Sequence, residues 1–199
     1  MNFETTYQDP ALQPGSSNFN NAASAIEQHP AQVIVTSTAG AYGALAPFIT
    51  DLRTAGDKTP VLNSWAGDGT YWLPQSPKVT NYWYVTYANS FGHDPNPAVN
   101  RLARELHPHP ATGGFITGPA AIDGVVVAIE RAHGSLSGPK LAAVMQKFHG
   151  VKTISGKVSF SAKLHSVFGR AYRVIEIQNN KPIEKGTITA KVVPNSPDA

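Results

Sequence analysis

Residues 32–65, which decide the predicted fold class, read QVIVTSTAGAYGALAPFITDLRTAGDKTPVLNSW. The run QVIVTST is rich in β-branched residues and is typical of a strand buried on both faces. After the turn AGAYG, residues 44–55 form a predicted helix that Gly56 closes, and TPVLNSW is a second buried strand. A strand, a helix and a strand at spacings of roughly 30 residues predict a right-handed parallel α/β unit.

The flanking sequence extends this α/β pattern in both directions. Before it, residues 3–7 are predicted as a strand and residues 19–28 as a helix. After it come an aromatic strand in TNYWYVTYANSFG, helices within residues 93–107, 119–132 and 137–150, the stretch SGKVSFS, and the strand-like RAYRVIEIQNNKPIEKG with a turn at NNK. The tail VVPNSPDA, at residues 192–199, is predicted to be disordered.

Two loops at the carboxyl ends of the predicted strands carry the candidate binding residues. Tyr42 follows the first strand and Trp65 follows the second. The loop NSWAGDGTYWLP, residues 63–74, also holds Asp68, Tyr71 and Trp72, and loops that keep large aromatics usually hold a ligand with them. Ligands of open α/β sheets sit beyond the carboxyl ends of the strands. Tyr42 and Trp65 are therefore predicted to face one cleft, with Tyr71 and Trp72 able to reach its rim.

The composition excludes several classes of function. The net charge of +3 is spread singly along the 199 residues, so no nucleic-acid footprint is indicated. The chain has no cysteine, which excludes disulfides, thiolate metal sites and cysteine nucleophiles. No uninterrupted apolar run is long enough to span a bilayer, and the first residues do not have the character of an export signal.

Five segments, taken in order, resemble one protein family. They are SNFNNAASAI, QVIVTSTAGAYGALAPFITDLRTAGDKTPVL, FGHDPNPAV, GPAAIDGVVVAIERA and SGKVSFSAKLHSVFGRAYRVIEIQNNK. Together they resemble the C-terminal half of the periplasmic solute-binding proteins of branched-chain amino acid (leucine/isoleucine/valine) ABC transporters, which have the type I periplasmic-binding-protein fold. The resemblance covers nearly the whole chain, and its most specific parts are FITDLRTAGDKTPVL and the closing SGKVSF…YRVIEIQNNK.

The resemblance implies a division into lobes and a role in transport. Family members trap a solute in a cleft between two α/β lobes. Residues 1–86 and 170–199 then correspond to the second, parallel-sheet lobe, and residues 87–169 to the helical C-terminal part of the first lobe, whose sheet is missing here. The chain is therefore expected to be a truncated form, or to be completed by another polypeptide. The resemblance also implies a periplasmic or extracytoplasmic location, a membrane permease as partner and no cofactor.

By position, the resemblance assigns solute contacts to Ala41, Tyr42 and Trp65. Amino-acid-binding relatives place a carboxylate at the position of Trp65 to pair with the ammonium group of the solute, and the nearest acid here is Asp68. Asp68 is therefore a fourth candidate, although Asp68 and Gly69 are equally compatible with a simple turn. Because an indole face stacks on planar groups and attracts cations, an aromatic, planar or amino-acid-like solute is predicted. The alternative is that Trp65 is a core or hinge residue.

Catalytic and metal-binding interpretations have less support in the sequence. His107 and His109 in HPHP have a chelating spacing, but no acidic cluster accompanies them, and a solvated loop is the simpler interpretation. The stretch HGSLSG has Leu136 where a nucleophile-elbow motif needs serine, and no phosphate-binding glycine loop is present. A solute-binding protein without enzymatic activity is therefore predicted. A cleft hydrolase using His and Asp side chains, or a related ligand-sensing domain, are the alternatives.

One predicted helix carries an apolar stripe. Ile122, Val125, Val126 and Ile129 lie at helical spacing, and in the relatives this stripe packs on the first-lobe sheet. A contiguous exposed apolar patch is uncommon on a monomeric protein. Self-association through residues 115–150, or poor stability in solution, is therefore expected.

Overall fold

The computed structural model describes residues 20–41, 43–164 and 166–191 of the chain. The helices and strands are α1 (Asn20–Gln28), β1 (Ile34–Thr36), α2 (Leu45–Thr54), β2 (Val61–Asn63), β3 (Tyr82–Thr86), α3 (Pro97–Glu105), α4 (Thr117–Arg131), α5 (Gly138–Met145), β4 (Val151–Thr153), β5 (Gly156–Val158), β6 (Tyr172–Gln178) and β7 (Lys181–Ile188). Short 3-10 helices occupy Trp65–Gly67 and Gly113–Ile116. The strand predicted at residues 3–7 and the tail at residues 192–199 lie outside the described residues.

Within the described residues, five strands form one sheet in the order β1-β2-β3-β6-β7. β1 and β2 pair in parallel with Ile34 opposite Val61, and β2 and β3 pair in parallel with Val61 opposite Tyr82. Helix α2 connects β1 to β2, as the pattern of residues 32–65 predicted. The predicted α/β class with a mostly parallel sheet is confirmed.

The turn between β6 and β7 consists of two asparagines. Asn179 and Asn180 have φ values of 51° and 62°, which a two-residue type I′ turn requires and which asparagine tolerates well. The Asn180 side chain accepts a hydrogen bond from the Val79 N–H at 2.7 Å and donates one to the Pro74 carbonyl at 2.8 Å. The predicted turn at NNK is therefore confirmed, and it anchors the segment that leads into β3.

One apolar cluster joins α1, α2 and one face of the sheet. The α2 side chains of Leu45, Ile49 and Leu52 are fully buried in it, together with Val61 from β2 and Ile175 from β6. Burial of each such aliphatic side chain stabilises the fold by about 1.5–3 kcal/mol relative to its exposure. This layer of helices on the sheet holds the carboxyl ends of the parallel strands in place.

The prediction that β1 and β2 are buried on both faces is wrong. Ile34 and Val61 are buried, whereas Val35 is 61% exposed and Leu62 is 41% exposed. Val35 and Leu62 are opposite each other in the parallel register, so they form an apolar row on the face that the described helices leave uncovered. A continuous apolar run indicates a strand, but the number of layers that pack on the strand depends on distant parts of the fold.

Helices α4 and α5 pack with the antiparallel hairpin of β4 and β5. Ala128, Phe148, Val151 and Val158 form the buried centre of this cluster. This hairpin was not predicted from the sequence. Its strands have three residues each, which is too short for an alternating pattern to be read reliably.

The chain divides into two compact units. The described residues up to Thr86, together with Val174–Lys185, form the first unit. Tyr87–Arg173, together with the described residues from Gly186 onward, form the second unit. Each unit has buried apolar clusters of its own. The assignment of these parts to the second lobe and to the helical remainder of the first lobe stays a prediction.

Candidate functional site

The loops that follow β1 and β2 lie side by side at the carboxyl ends of these strands. The backbone N–H of Gly40 donates a hydrogen bond to the Ala66 carbonyl at 3.1 Å. The hydroxyl oxygens of Ser37 and Ser64 are 2.8 Å apart and hydrogen-bonded at the exposed surface. The two loops therefore form one continuous surface, at the position where open α/β sheets bind ligands.

Asn63, the last residue of β2, ties both loops to the strand beneath them. Its side-chain amide donates to the Thr38 carbonyl at 2.9 Å and to the Tyr82 hydroxyl at 2.8 Å. The Tyr82 hydroxyl donates in turn to the Gly67 carbonyl at 3.3 Å. Buried hydrogen-bond chains of this kind rigidify the backbone they connect. The loop surface is therefore built on the rigid part of the sheet.

Trp65 begins the 3-10 turn of the second loop. Ser64 caps this turn by accepting a hydrogen bond from the Ala66 N–H at 3.1 Å. The Trp65 side chain is 47% exposed, and Tyr71 in the same loop is 51% exposed. Two large aromatic side chains therefore present a substantial area at the surface, where a partner or ligand is able to contact them.

Two glycines allow the loops to approach each other this closely. A Cβ atom on Gly67 would collide with the Tyr82 hydroxyl and with the side-chain amide of Asn63. A Cβ atom on Gly40 would lie only 2.6 Å from Cδ1 of Trp72. The absence of a side chain at both positions is what permits the hydrogen bonds between the loops and the strand below.

We expect the G67A variant to lose about 1–3 kcal/mol of free energy of unfolding, a cost typical of overpacking. The added methyl group displaces the hydrogen-bonded Tyr82 and Asn63 side chains. Chemical denaturation followed by tryptophan fluorescence measures the loss. G118A is the matched control, because a Cβ at that position meets no atom within 4 Å. A G67A variant as stable as wild type would show that the loop packing is not as described.

A buried polar layer lies beneath the aromatic loop. Asp68 is 4% exposed, and its Oδ2 atom accepts a hydrogen bond from the Thr86 hydroxyl at 2.7 Å. Burial raises the pKa values of Tyr82 and Tyr84, and the charge of Asp68 acts in the same direction. Both phenols therefore remain protonated at physiological pH, and the one on Tyr82 serves as a donor to the loop backbone.

The four residues predicted to contact a solute lie in different environments. Ala41 and Trp65 are exposed on the adjacent loops, next to the backbone hydrogen bond from Gly40 to Ala66. Asp68 is buried below the surface. Tyr42 lies outside the described residues, so its predicted position facing the same cleft as Trp65 stays a prediction. The structure thus brings together Ala41 and Trp65 and places Asp68 beneath them.

The histidines give no metal site in the part of the chain that the structure describes. His107 and His109 are exposed, and no group of three or more His, Asp or Glu side chains among the described residues is placed to hold a metal ion. Metal coordination in structural and catalytic sites usually needs three or four such ligands.

A family model for periplasmic binding proteins matches residues 3–182. The chain belongs to the periplasmic binding protein family. This membership confirms the resemblance found in the five sequence segments. It also places the chain among binding proteins rather than enzymes, so the family assignment replaces the hydrolase interpretation.

Solved structures of the same fold include three bacterial binding proteins. The leucine-binding protein LivK of Thermotoga maritima is 16% identical with a TM-score of 0.74, and the alignment covers 89% of this chain and 50% of that protein. LivJ of Streptococcus pneumoniae in complex with isoleucine is 13% identical with a TM-score of 0.70, and the alignment covers 88% of this chain and 49% of that protein. A solute-binding protein of R. palustris in complex with benzoate is 16% identical with a TM-score of 0.65, and the alignment covers 88% of this chain and 49% of that protein.

The alignments also show how much of each solved structure this chain matches. The chain spans about half the length of the solved structures it matches. No curated protein sequence matches it significantly. The family fold is therefore present here in about half of its usual length.

Sequence reasoning missed part of this surface of the periplasmic binding protein. Ser37 and Ser64 were not predicted as site residues. Each directly follows an apolar strand, and polar residues in that position often contact a ligand at the end of the sheet. Tyr71 is exposed, as a position at the rim requires. Trp72 is instead buried, and its Nε1–H donates to the Gly67 carbonyl at 3.2 Å.

Proposed function

We propose that this chain is the solute-binding component, or part of one, of an ABC-type uptake system. In this proposal the joined loops after β1 and β2 form one wall of the solute site. The observation that carries it is the pair of exposed aromatic side chains, Trp65 and Tyr71, beside the exposed hydroxyl groups of Ser37 and Ser64. Aromatic faces with a few fixed polar groups are the usual lining of small-molecule sites.

The same residues favour a planar or aromatic carboxylate over leucine or valine. An indole face at position 65 stacks on a planar group, and serine hydroxyls donate hydrogen bonds to a carboxylate. Asp68 is buried and bonded to Thr86, so we assign it to support of the loop rather than to an ammonium group of the solute.

Proteins of this fold accommodate both classes of solute. Solute-binding proteins of Rhodopseudomonas palustris were solved with 3,4-dihydroxybenzoic acid and with p-hydroxybenzoic acid. An ABC transporter protein of Thermus thermophilus was solved with valine. We propose that the residues at the strand ends, which here are aromatic and hydroxyl-bearing, select the class of solute.

The proposal includes a setting for this binding activity. The protein acts in the periplasm or an equivalent extracytoplasmic space and delivers its solute to the membrane permease of the transporter. It performs no covalent chemistry on the solute. With one wall of the site described by this chain, binding by the isolated chain is expected to be weak.

We expect benzoate to bind the chain more tightly than leucine, and the W65A variant to weaken benzoate binding by about 10- to 100-fold. Loss of a stacking contact between a base and an aromatic side chain typically costs about 1–3 kcal/mol, a change of about 5- to 150-fold that brackets this range. Isothermal titration calorimetry with each solute measures both effects. The W65F variant keeps an aromatic face and is expected to retain most of the affinity.

L62A is the matched control for this experiment. Leu62 is an exposed apolar residue of β2, but it lies on the sheet face and not in the loop. Its substitution is expected to leave benzoate binding unchanged. Tighter binding of leucine or valine than of benzoate, or equal losses in W65A and L62A, would contradict the proposed solute class and wall.

We further propose that the chain self-associates through residues 115–150, with the exposed stripe of α4 as the contact. Ile122, Val125 and Val126 are all exposed on this helix. Apolar patches of this kind on a folded surface mark interaction sites. The test of this proposal is designed in the Discussion.

A further inference from the structure

An open cavity at the surface of the second unit has three basic side chains, all exposed, among its lining residues. It has a volume of about 280 Å³, and its lining residues are Gly92, His93, Asn100, Ala103, Arg104 and His109. Small-molecule sites begin at about 300 Å³, so this cavity suits a ligand at the small end of the range. Two imidazoles and one guanidinium line it, and none of its lining residues carries a carboxylate.

The loop that carries His93 is tethered on both sides. Asn100 on α3 accepts a hydrogen bond from the Asp94 N–H and donates one to the Asp94 carbonyl, each at 2.8 Å. The Asn89 side chain donates to the Gly92 carbonyl at 2.7 Å. These bonds hold His93 in the left-handed region, at φ 62°, which non-glycine residues adopt rarely. The backbone that carries His93 is therefore fixed by its neighbours, while the His93 side chain itself is exposed.

The acid next to His93 does not neutralise the cavity. Both carboxylate oxygens of Asp94 accept hydrogen bonds from Arg173, at 2.8 and 2.9 Å, and the Asp94 side chain is buried. Across the cavity, Nδ1 of His109 contacts the Pro110 carbonyl at 3.2 Å. That contact leaves Nε2 of His109 as the ring nitrogen for a ligand.

We propose that this cavity binds a small oxyanion, a phosphate or carboxylate group, through Arg104, His93 and His109. A guanidinium presents parallel N–H donors that match two oxygens of either group. Imidazole nitrogens add single donors from the other walls. All of these residues belong to the second unit, and none of them is part of the solute wall proposed on the first unit.

NMR titrations of the 199-residue chain test this site. Inorganic phosphate and tricarballylate are added in separate experiments at constant ionic strength. We expect saturable shift changes at the residues that line the cavity, and the probe that saturates at lower concentration identifies which of the two oxyanions is preferred. R104Q is expected to weaken binding about tenfold or more, since it removes the bidentate donor. H93N keeps a residue that tolerates left-handed backbone and is expected to weaken binding by a smaller factor.

R101Q provides a matched control on the same helix. It removes one positive charge three residues before Arg104, and Arg101 does not line the cavity. We expect R101Q to bind the probe as wild type does, with amide spectra showing that all variants are folded. Equal weakening in R101Q and R104Q would indicate diffuse attraction to a basic surface and overturn the proposal. Shift changes that do not saturate with either probe would overturn it as well.

Discussion

The D94N variant is expected to lose about 3–5 kcal/mol of free energy of unfolding, the cost of removing one partner from a buried ion pair. The side chains of Asp94 and Arg173 are both buried, and two hydrogen bonds of 2.8 and 2.9 Å join them. Asparagine places an NH₂ group against the guanidinium and leaves the charge of Arg173 buried without its counter-ion. Chemical denaturation followed by far-UV circular dichroism measures the loss.

The loss is expected to be large because Asp94 also organises its own loop. Its Oδ2 atom accepts a hydrogen bond from the Asn89 N–H, and its Oδ1 atom accepts one from the Asn96 N–H, each at 2.8 Å. One carboxylate therefore serves two backbone donors in addition to the guanidinium. Charged acceptors form stronger hydrogen bonds than neutral ones, so every one of these contacts weakens in the variant.

D123N is the matched control for D94N. It makes the same substitution in the same unit, but the Oδ2 atom of Asp123 accepts a hydrogen bond from the backbone N–H of Ile154, at 2.6 Å. Loss of a hydrogen bond to a charged acceptor typically costs about 1.5–3 kcal/mol, which is less than the loss expected for D94N. A D94N variant no less stable than D123N would contradict the central role of the buried ion pair. The single variant R173M and the double variant D94N/R173M complete the cycle that gives the coupling energy between the two side chains.

Much of the first unit was predictable because its signals are local. The β-branched run before residue 37, the helix that Gly56 follows and the asparagine turn each depend on neighbouring residues in the chain. The alternating burial of β3 likewise follows from its period of two, with Tyr82, Tyr84 and Thr86 on the buried side.

The errors arose where a feature depends on distant parts of the fold. The exposure of Val35 and Leu62 depends on which elements pack on each face of the sheet. The sequence of a strand does not indicate whether one or both of its faces will be covered. The same limit applies to the binding surface. Trp65 was predicted from its place after a strand, but the burial of Asp68 against Thr86 depends on a contact between residues 18 positions apart.

Helix α4 has one buried side and one exposed apolar side, and the sequence alone did not distinguish them. On one side Gly124 and Ala128 are buried, and Ala128 packs with Phe148. On the other side Ile122 is 66% exposed and Val126 is 47% exposed. Together with the preceding 3-10 turn, residues Gly113–Arg131 are long and apolar enough to cross a membrane by length and composition alone. The sequence shows no uninterrupted apolar run here, because Thr117 and Asp123 divide the stretch.

Asp123 and the buried side of α4 argue for protein rather than lipid around this helix. The Asp123 carboxylate is bonded to the backbone of Ile154, and Arg131 lies over the ring of Phe148 at 5.3 Å. Helices that pack one side on a core and carry charged groups there are typical of globular proteins. We therefore expect protein to cover the exposed stripe, and a second copy of the chain offers an identical stripe.

We expect the wild-type chain to form a dimer in solution and the I122Q/V126Q variant to be a monomer. In a two-fold symmetric dimer each stripe covers its counterpart, so the two substitutions remove four buried aliphatic side chains. At about 25 cal/mol per Å² of apolar surface, this change weakens dimerisation about 100-fold or more. Sedimentation velocity over a range of protein concentrations measures the effect. The V35Q/L62Q variant alters a comparable exposed apolar pair on the sheet face and is expected to remain a dimer. A wild-type chain that stays monomeric, folds cooperatively and binds no hydrophobic dye would overturn this expectation, as would equal dissociation of the two variants.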